Sequence, residues 1–86
     1  MQLDPNDAEA FDNRGNVFYD NRQYDRAIAD FNEALRLKPD FALAYNDRGG
    51  AYYFKQDYAA SIKDLDEAIR LDPKSANAFT NRGDQA

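Results

Sequence analysis

Residues 24–39 read YDRAIADFNEALRLKP, and residues 58–73 read YAASIKDLDEAIRLDP. In register, 34 positions apart, the two stretches share their tyrosine, isoleucine, the aspartate at 30 and 64, the Glu-Ala pair, the Arg-Leu pair and the closing proline. Each carries an apolar stripe of helical spacing. Tyr24 is followed by Ala27, Ile28, Phe31, Ala34 and Leu35, and Tyr58 by Ile62, Leu65, Ala68 and Ile69. Apolar residues recurring at i, i+3, i+4 and i+7 predict an amphipathic helix. Pro39 and Pro73 stop it, because proline lacks an N–H and biases the residue before it away from the helical region.

The period extends in both directions. Pro5, Pro39 and Pro73 are evenly spaced, and Asn13-Arg14-Gly15 returns as Asp47-Arg48-Gly49 and as Asn81-Arg82-Gly83. A second, earlier stripe precedes each of the first two: Ala8, Phe11, Gly15 and Phe18, then Tyr45, Gly49 and Tyr52. Polar residues separate the stripes at Asn21-Arg22-Gln23 and Lys55-Gln56-Asp57. The unit is therefore helix, turn, helix, proline, and a fixed period of this length is the mark of a stacked repeat array. The chain is expected to be all-α, with antiparallel helix-turn-helix repeats at 8–41 and 42–75. Residues 1–7 copy the tail of a preceding repeat and residues 76–86 most of a further first helix, as in a piece of a longer protein. Gly15, Gly49 and Gly83 fall within stripes, where glycine weakens a helix by about 1 kcal/mol, so they mark close approach of a neighbouring helix. Asp7, Asp40 and Ser75 are expected to cap helix N-termini.

With Phe11, Gly15, Phe18, Ala27, Phe31, Ala34 and Pro39 in place, the pattern resembles the tetratricopeptide repeat over essentially the whole chain. That resemblance implies a right-handed α-solenoid that binds other proteins and is not an enzyme. The chain departs from the family pattern in three ways. Arg14, Arg48 and Arg82 replace a common leucine, and Arg22 and Gln56 replace a common glycine between the helices. Ser61 also stands where the first repeat has Ala27.

Composition narrows the function. The chain has 86 residues, 43% of them hydrophobic, and a net charge of −5, with no cysteine and no histidine. The acidic balance argues against a nucleic-acid partner, and no apolar run is long enough to cross a membrane. Without His or Cys, and with only Ser61, Ser75 and Thr80 as hydroxyl nucleophiles, no catalytic triad is expected. A calcium loop around Asp4, Asn6, Asp7 and Glu9 lacks the central glycine and distal glutamate, so no metal or cofactor is expected. No compartment is indicated, and the cytoplasm is the default.

The first helices of such an array line its concave side. Asp12, Asn16, Tyr19, Asp20, Asn46, Tyr53 and Phe54 are the candidate peptide-binding residues, together with Glu9, Asn13, Leu43, Asp47 and Gly50 and, further on, Asn77, Thr80, Asn81 and Asp84. Tyr19 and Tyr53 would form an aromatic ladder, or else pack between the helices. One branch of the family grips C-terminal carboxylates with lysines, an arginine and asparagines. Only Asn16 fits that scheme, and Asp12 stands where a lysine is wanted, so a basic or neutral peptide is expected. The alternative function is self-assembly, by end-to-end stacking or by helix swapping through strained turns, into homo-oligomers. Finally, Arg14 and Asp30 lie equally far from Arg22, as Arg48 and Asp64 do from Gln56. Antiparallel geometry brings such residues level, so two Arg–Asp pairs are expected, with Arg82 turning to Asp64 or to solvent.

Overall fold

The computed structural model describes residues 6–73, which form four helices: α1 (Ala8–Asp20), α2 (Tyr24–Leu37), α3 (Ala42–Phe54) and α4 (Tyr58–Leu71). No strand occurs among the described residues. Helices α1 and α2 pack as one hairpin and α3 and α4 as the other, while α3 also lies against α2 and joins the two hairpins. The expectations placed on Ser75, Phe79, Arg82 and the rest of 74–86, and on residues 1–5, lie outside the described residues.

Local chemistry sets the helix ends. Asp7 caps α1, its Oδ1 accepting from the backbone N–H of Glu9 at 3.0 Å and of Ala10 at 3.2 Å. Such a cap satisfies donors that the first turn leaves without partners. Asp57 does the same for α4 through the Ala60 N–H. The cap expected of Asp40 is not formed. Helix α3 starts one residue later than that reading assumed, its cap position is Phe41, and no side chain bonds to its first turn. Phe41 is used there for packing, since its ring is buried beside Ala34, Leu35 and Ala44.

Both hairpin turns close through a left-handed residue, Arg22 at φ 64° and Gln56 at φ 68°. The Asn21, Arg22 and Gln23 N–H groups donate to Phe18, Tyr19 and Phe18 carbonyls, and Lys55, Gln56 and Asp57 repeat the pattern on Ala51, Tyr53 and Tyr52. Glycine enters this region without a steric cost that other residues incur, so each turn carries strain. Across these turns α1 packs back on α2 and α3 on α4.

The core is built in two layers. Tyr19, Ala27, Ile28, Phe31 and Ala51 form one, and Ala34, Leu35, Phe41 and Ala44 the other. Gly15 explains its own presence here: a Cβ on it would lie 2.6 Å from Phe31 Cε1, inside van der Waals contact. Gly49 faces Leu65 in the same way, with a Cβ 3.0 Å from Leu65 Cδ2. α1 and α3 thus come close enough for their partners' side chains to fill the space a methyl would need.

Candidate protein-interaction surface

The Arg–Asp pairs stand where antiparallel geometry brings their residues level. Arg14 donates from Nε to Asp30 Oδ2 and from NH2 to Asp30 Oδ1, both at 2.8 Å. Arg48 repeats this on Asp64 at 2.8 and 2.7 Å, and its NH1 reaches Asn32 Oδ1 at 2.8 Å. Both aspartates are buried. The guanidinium groups lie over aromatic faces, Arg14 5.9 Å from the Phe11 and Phe18 centroids and Arg48 5.4 Å from Tyr45. Hydrogen bonding to the carboxylates raises both arginine pKa values above their ordinary range, against the opposing effect of burial. Each bidentate pair locks the level of one helix against the next.

The seven candidate peptide-binding residues separate into two groups. Asp12 and Asn46 are buried, as is Asp47. Asn16 Nδ2 donates to the Asp12 carbonyl at 3.1 Å, to Asp12 Oδ2 at 3.3 Å and to Asp47 Oδ2 at 3.0 Å. Asp12, Asn16 and Asp47 form a polar contact between α1 and α3 instead of an open wall, and the Asn16 amide is engaged before any peptide arrives. Asn46 Oδ1 is buried and accepts no hydrogen bond among the described residues.

The two tyrosines, equivalent in sequence, are not equivalent in space. Tyr19 is 6% exposed and Tyr53 47% exposed. Tyr19 meets Tyr24 and Phe54 edge-on at centroid distances of 5.7 and 5.9 Å. Tyr24 and Phe54 stack at 5.7 Å. Tyr53 continues this ribbon outward, edge-on to Phe54 at 5.4 Å and to Tyr58 at 5.6 Å. An exposed ladder of two tyrosines is therefore not present: Tyr19 is core, and Tyr53 is the accessible ring. Asp20, Glu9, Asn13 and Leu43 are exposed, while Asn16 and Phe54 are half-buried.

Two features escaped the sequence reading. Tyr24 and Tyr58 join the ribbon, each five residues after its repeat's Tyr19 or Tyr53, across the turn. An open cavity of about 470 Å³ lies beside the first turn, lined by Arg22, Gln23, Tyr24, Asp25, Arg26 and Lys55, with Lys55 paired to Asp25. The Asp25–Lys55 pair links the two hairpins, and opposite charges flanking successive turns were the available signal. Among the described residues no group of His, Cys, Asp or Glu is arranged to hold a metal ion, and no helix is long and apolar enough to cross a membrane.

Comparison with known protein families matches residues 13–84 to a family described as tetratricopeptide repeat. Comparison with curated proteins finds no match.

Proposed function

The chain belongs to the tetratricopeptide repeat family, whose repeats are in general protein–protein interaction modules, and from that membership we propose that it holds a peptide segment of a partner protein on the α1/α3 face. The repeats are taken as 8–41 and 42–75, and the face is the one lined by their first helices. Tyr53 carries the reading. Its ring is half exposed yet held edge-on by Phe54 and Tyr58. An aromatic side chain fixed before binding presents apolar area and a hydroxyl with little rotamer entropy left to lose. Phe54 and Asn16 extend the surface, and Asp20 with Glu9 gives it an acidic border.

The charge sets the kind of partner. With a net charge of −5 and exposed carboxylates along α1, the face attracts neutral or basic segments and repels an acidic C-terminal tail. The engaged Asn16 amide and the buried Asp12 leave no clamp for a terminal carboxylate. The Arg14–Asp30 and Arg48–Asp64 pairs serve this face indirectly, by fixing the level of the helices that present it.

A random peptide library selected against the full chain tests the proposal. The selected peptides are expected to be neutral or basic. Tyr53→Ala is expected to weaken them at least tenfold, about 1.4 kcal/mol, with helicity unchanged, and Asp20→Lys to remove the preference for basic sequences. Equal binding by a folded Tyr53→Ala variant places the site elsewhere and ends the proposal.

A further inference from the structure

Carboxylates engage most of the arginines among the described residues. Arg14 is held by Asp30, Arg36 by Glu33, Arg48 by Asp64 and Arg70 by Glu67. The other two, Arg22 and Arg26, have no carboxylate partner among the described residues, and both line the open cavity of about 470 Å³ at the turn between α1 and α2. Arg22 is exposed. Arg26 donates from NH1 to Gln23 Oε1 at 3.3 Å and lies over the Phe18 ring. Lys55 reaches the same cavity from the end of α3, where it pairs with Asp25.

The turn does not need these cations. The second turn closes with the corresponding backbone hydrogen bonds, Gln56 to Tyr53 and Asp57 to Tyr52, and it has Gln56 and Ala60 at the positions of Arg22 and Arg26. It also has an anion of its own, because the Asp57 carboxylate accepts from the Ala60 N–H. The first turn carries the neutral Gln23 at that position, bonded to Arg26 and making no cap. The cation cluster is thus particular to the first turn, in a chain whose net charge is −5.

We propose that this cavity binds a phosphoryl group carried on a side chain of a partner protein, with Arg22 and Arg26 holding its oxygens and Lys55 adding its charge. Three cations against the single carboxylate of Asp25 leave two positive charges at the cavity. A phosphorylated side chain carries about −1.5 to −2 at neutral pH and matches them, whereas a carboxylate brings a single negative charge. The guanidinium fork pairs with phosphate oxygens two at a time. A nucleic acid carries further phosphates beyond the two arginines and into the field of an acidic chain, which repels them. Membership of a family of protein-interaction repeats points to a protein as the carrier. Tyr24 stacks on Phe54, so the cavity borders the proposed peptide face. None of its lining residues belongs to that face, and the two readings stand or fall separately.

Amide shifts of the isotope-labelled full chain decide the matter. The probes are inorganic phosphate, a short oligonucleotide and a tripeptide with phosphoserine between glycines, the last compared with the same tripeptide carrying serine or glutamate. The phosphoserine tripeptide is expected to saturate at millimolar concentration with its changes on residues 22–26 and Lys55, inorganic phosphate to move the same residues, and the serine and glutamate forms to bind at least tenfold more weakly, by about the strength of one charge-assisted hydrogen bond. Arg22→Gly, which suits the left-handed backbone there, and Arg26→Ala are each expected to weaken binding about tenfold. Asp25→Asn is expected to tighten it by removing the competing carboxylate. Arg36→Ala removes the same charge from an arginine held by Glu33 and is expected to change nothing. Circular dichroism checks that each variant is folded. Several results overturn the proposal: no saturable change at residues 22–26, equal binding of the glutamate form, tighter binding of the oligonucleotide, a response to inorganic phosphate alone, or an Arg36→Ala loss as large as that of Arg26→Ala.

Discussion

Replacing Asp30 or Asp64 by alanine removes two hydrogen bonds from a guanidinium held between helices, and the two sites should not respond equally. Breaking a fully buried ion pair costs about 3–5 kcal/mol, because the remaining charge is left without compensation. Arg14 is not fully buried: with its side chain 39% exposed, it can turn its head to water while its stem stays on Phe11 and Phe18. Asp30→Ala is therefore expected to cost about 1.5–2 kcal/mol. Arg48 is 21% exposed and lies over Tyr45, so it has less freedom to leave, and Asn32 satisfies only one of its donors. Asp64→Ala is expected to cost about 2–3 kcal/mol. For a domain of this size each kcal/mol lowers the melting temperature by about 4–8 °C. Thermal melts followed by circular dichroism, with urea titrations for the free energies, measure both effects. Arg14→Leu in the Asp30→Ala background removes the stranded cation and puts apolar surface against Phe11 and Phe18, so part of the loss should return. If both alanine variants lie within about 0.5 kcal/mol of the wild type, as ordinary surface changes do, or if Arg14→Leu deepens the loss, then the pairs do not hold the hairpins.

The two glycines give a matched comparison. Gly15→Ala drives a Cβ against the enclosed Phe31 ring at 2.6 Å, and overpacking of about 1–3 kcal/mol should exceed the roughly 1 kcal/mol gained in helix propensity. Gly49→Ala meets the partly exposed Leu65 at 3.0 Å, which can shift, so it is expected to be neutral or stabilising by up to about 0.5 kcal/mol; urea midpoints would show whether the two differ. Arg22→Gly and Gln56→Gly remove left-handed strain at φ 64° and 68°, and each is expected to stabilise by about 0.5–1 kcal/mol. A loss of stability at both turns would contradict the strain.

The repeat period exposed the helices because each one buries a face that recurs at helical spacing, and the prolines mark where each second helix stops. Arg14 with Asp30, and Arg48 with Asp64, could be paired by counting from the turn, since antiparallel geometry leaves little freedom. The surface was harder to read. Asp12 and Asn46 lie off the apolar stripe of their own helices, which suggested a solvent-facing wall. The burial of Asp12 comes with the approach of α1 to α3, where Asn16 bridges it to Asp47, a contact between different repeats that periodicity within one helix does not register. Tyr19 and Tyr53 share a register but not an environment, because Phe54 of the second repeat closes over Tyr19. Asp40 had the chemistry of a cap, yet the helix begins after Phe41, whose burial decides where the chain turns in. Asp7 and Asp57 cap because no competing apolar contact moves their helix starts.

The claim that matters most is that a peptide is held on the first-helix face. Amide chemical shifts of the isotope-labelled full chain, followed as a selected peptide is titrated in, locate the contact residue by residue. The largest changes are expected on Asn16, Asp20, Tyr53 and Phe54, with small changes along the outward sides of α2 and α4. Changes concentrated on α2 and α4, with Tyr53 and Phe54 unmoved, would contradict it.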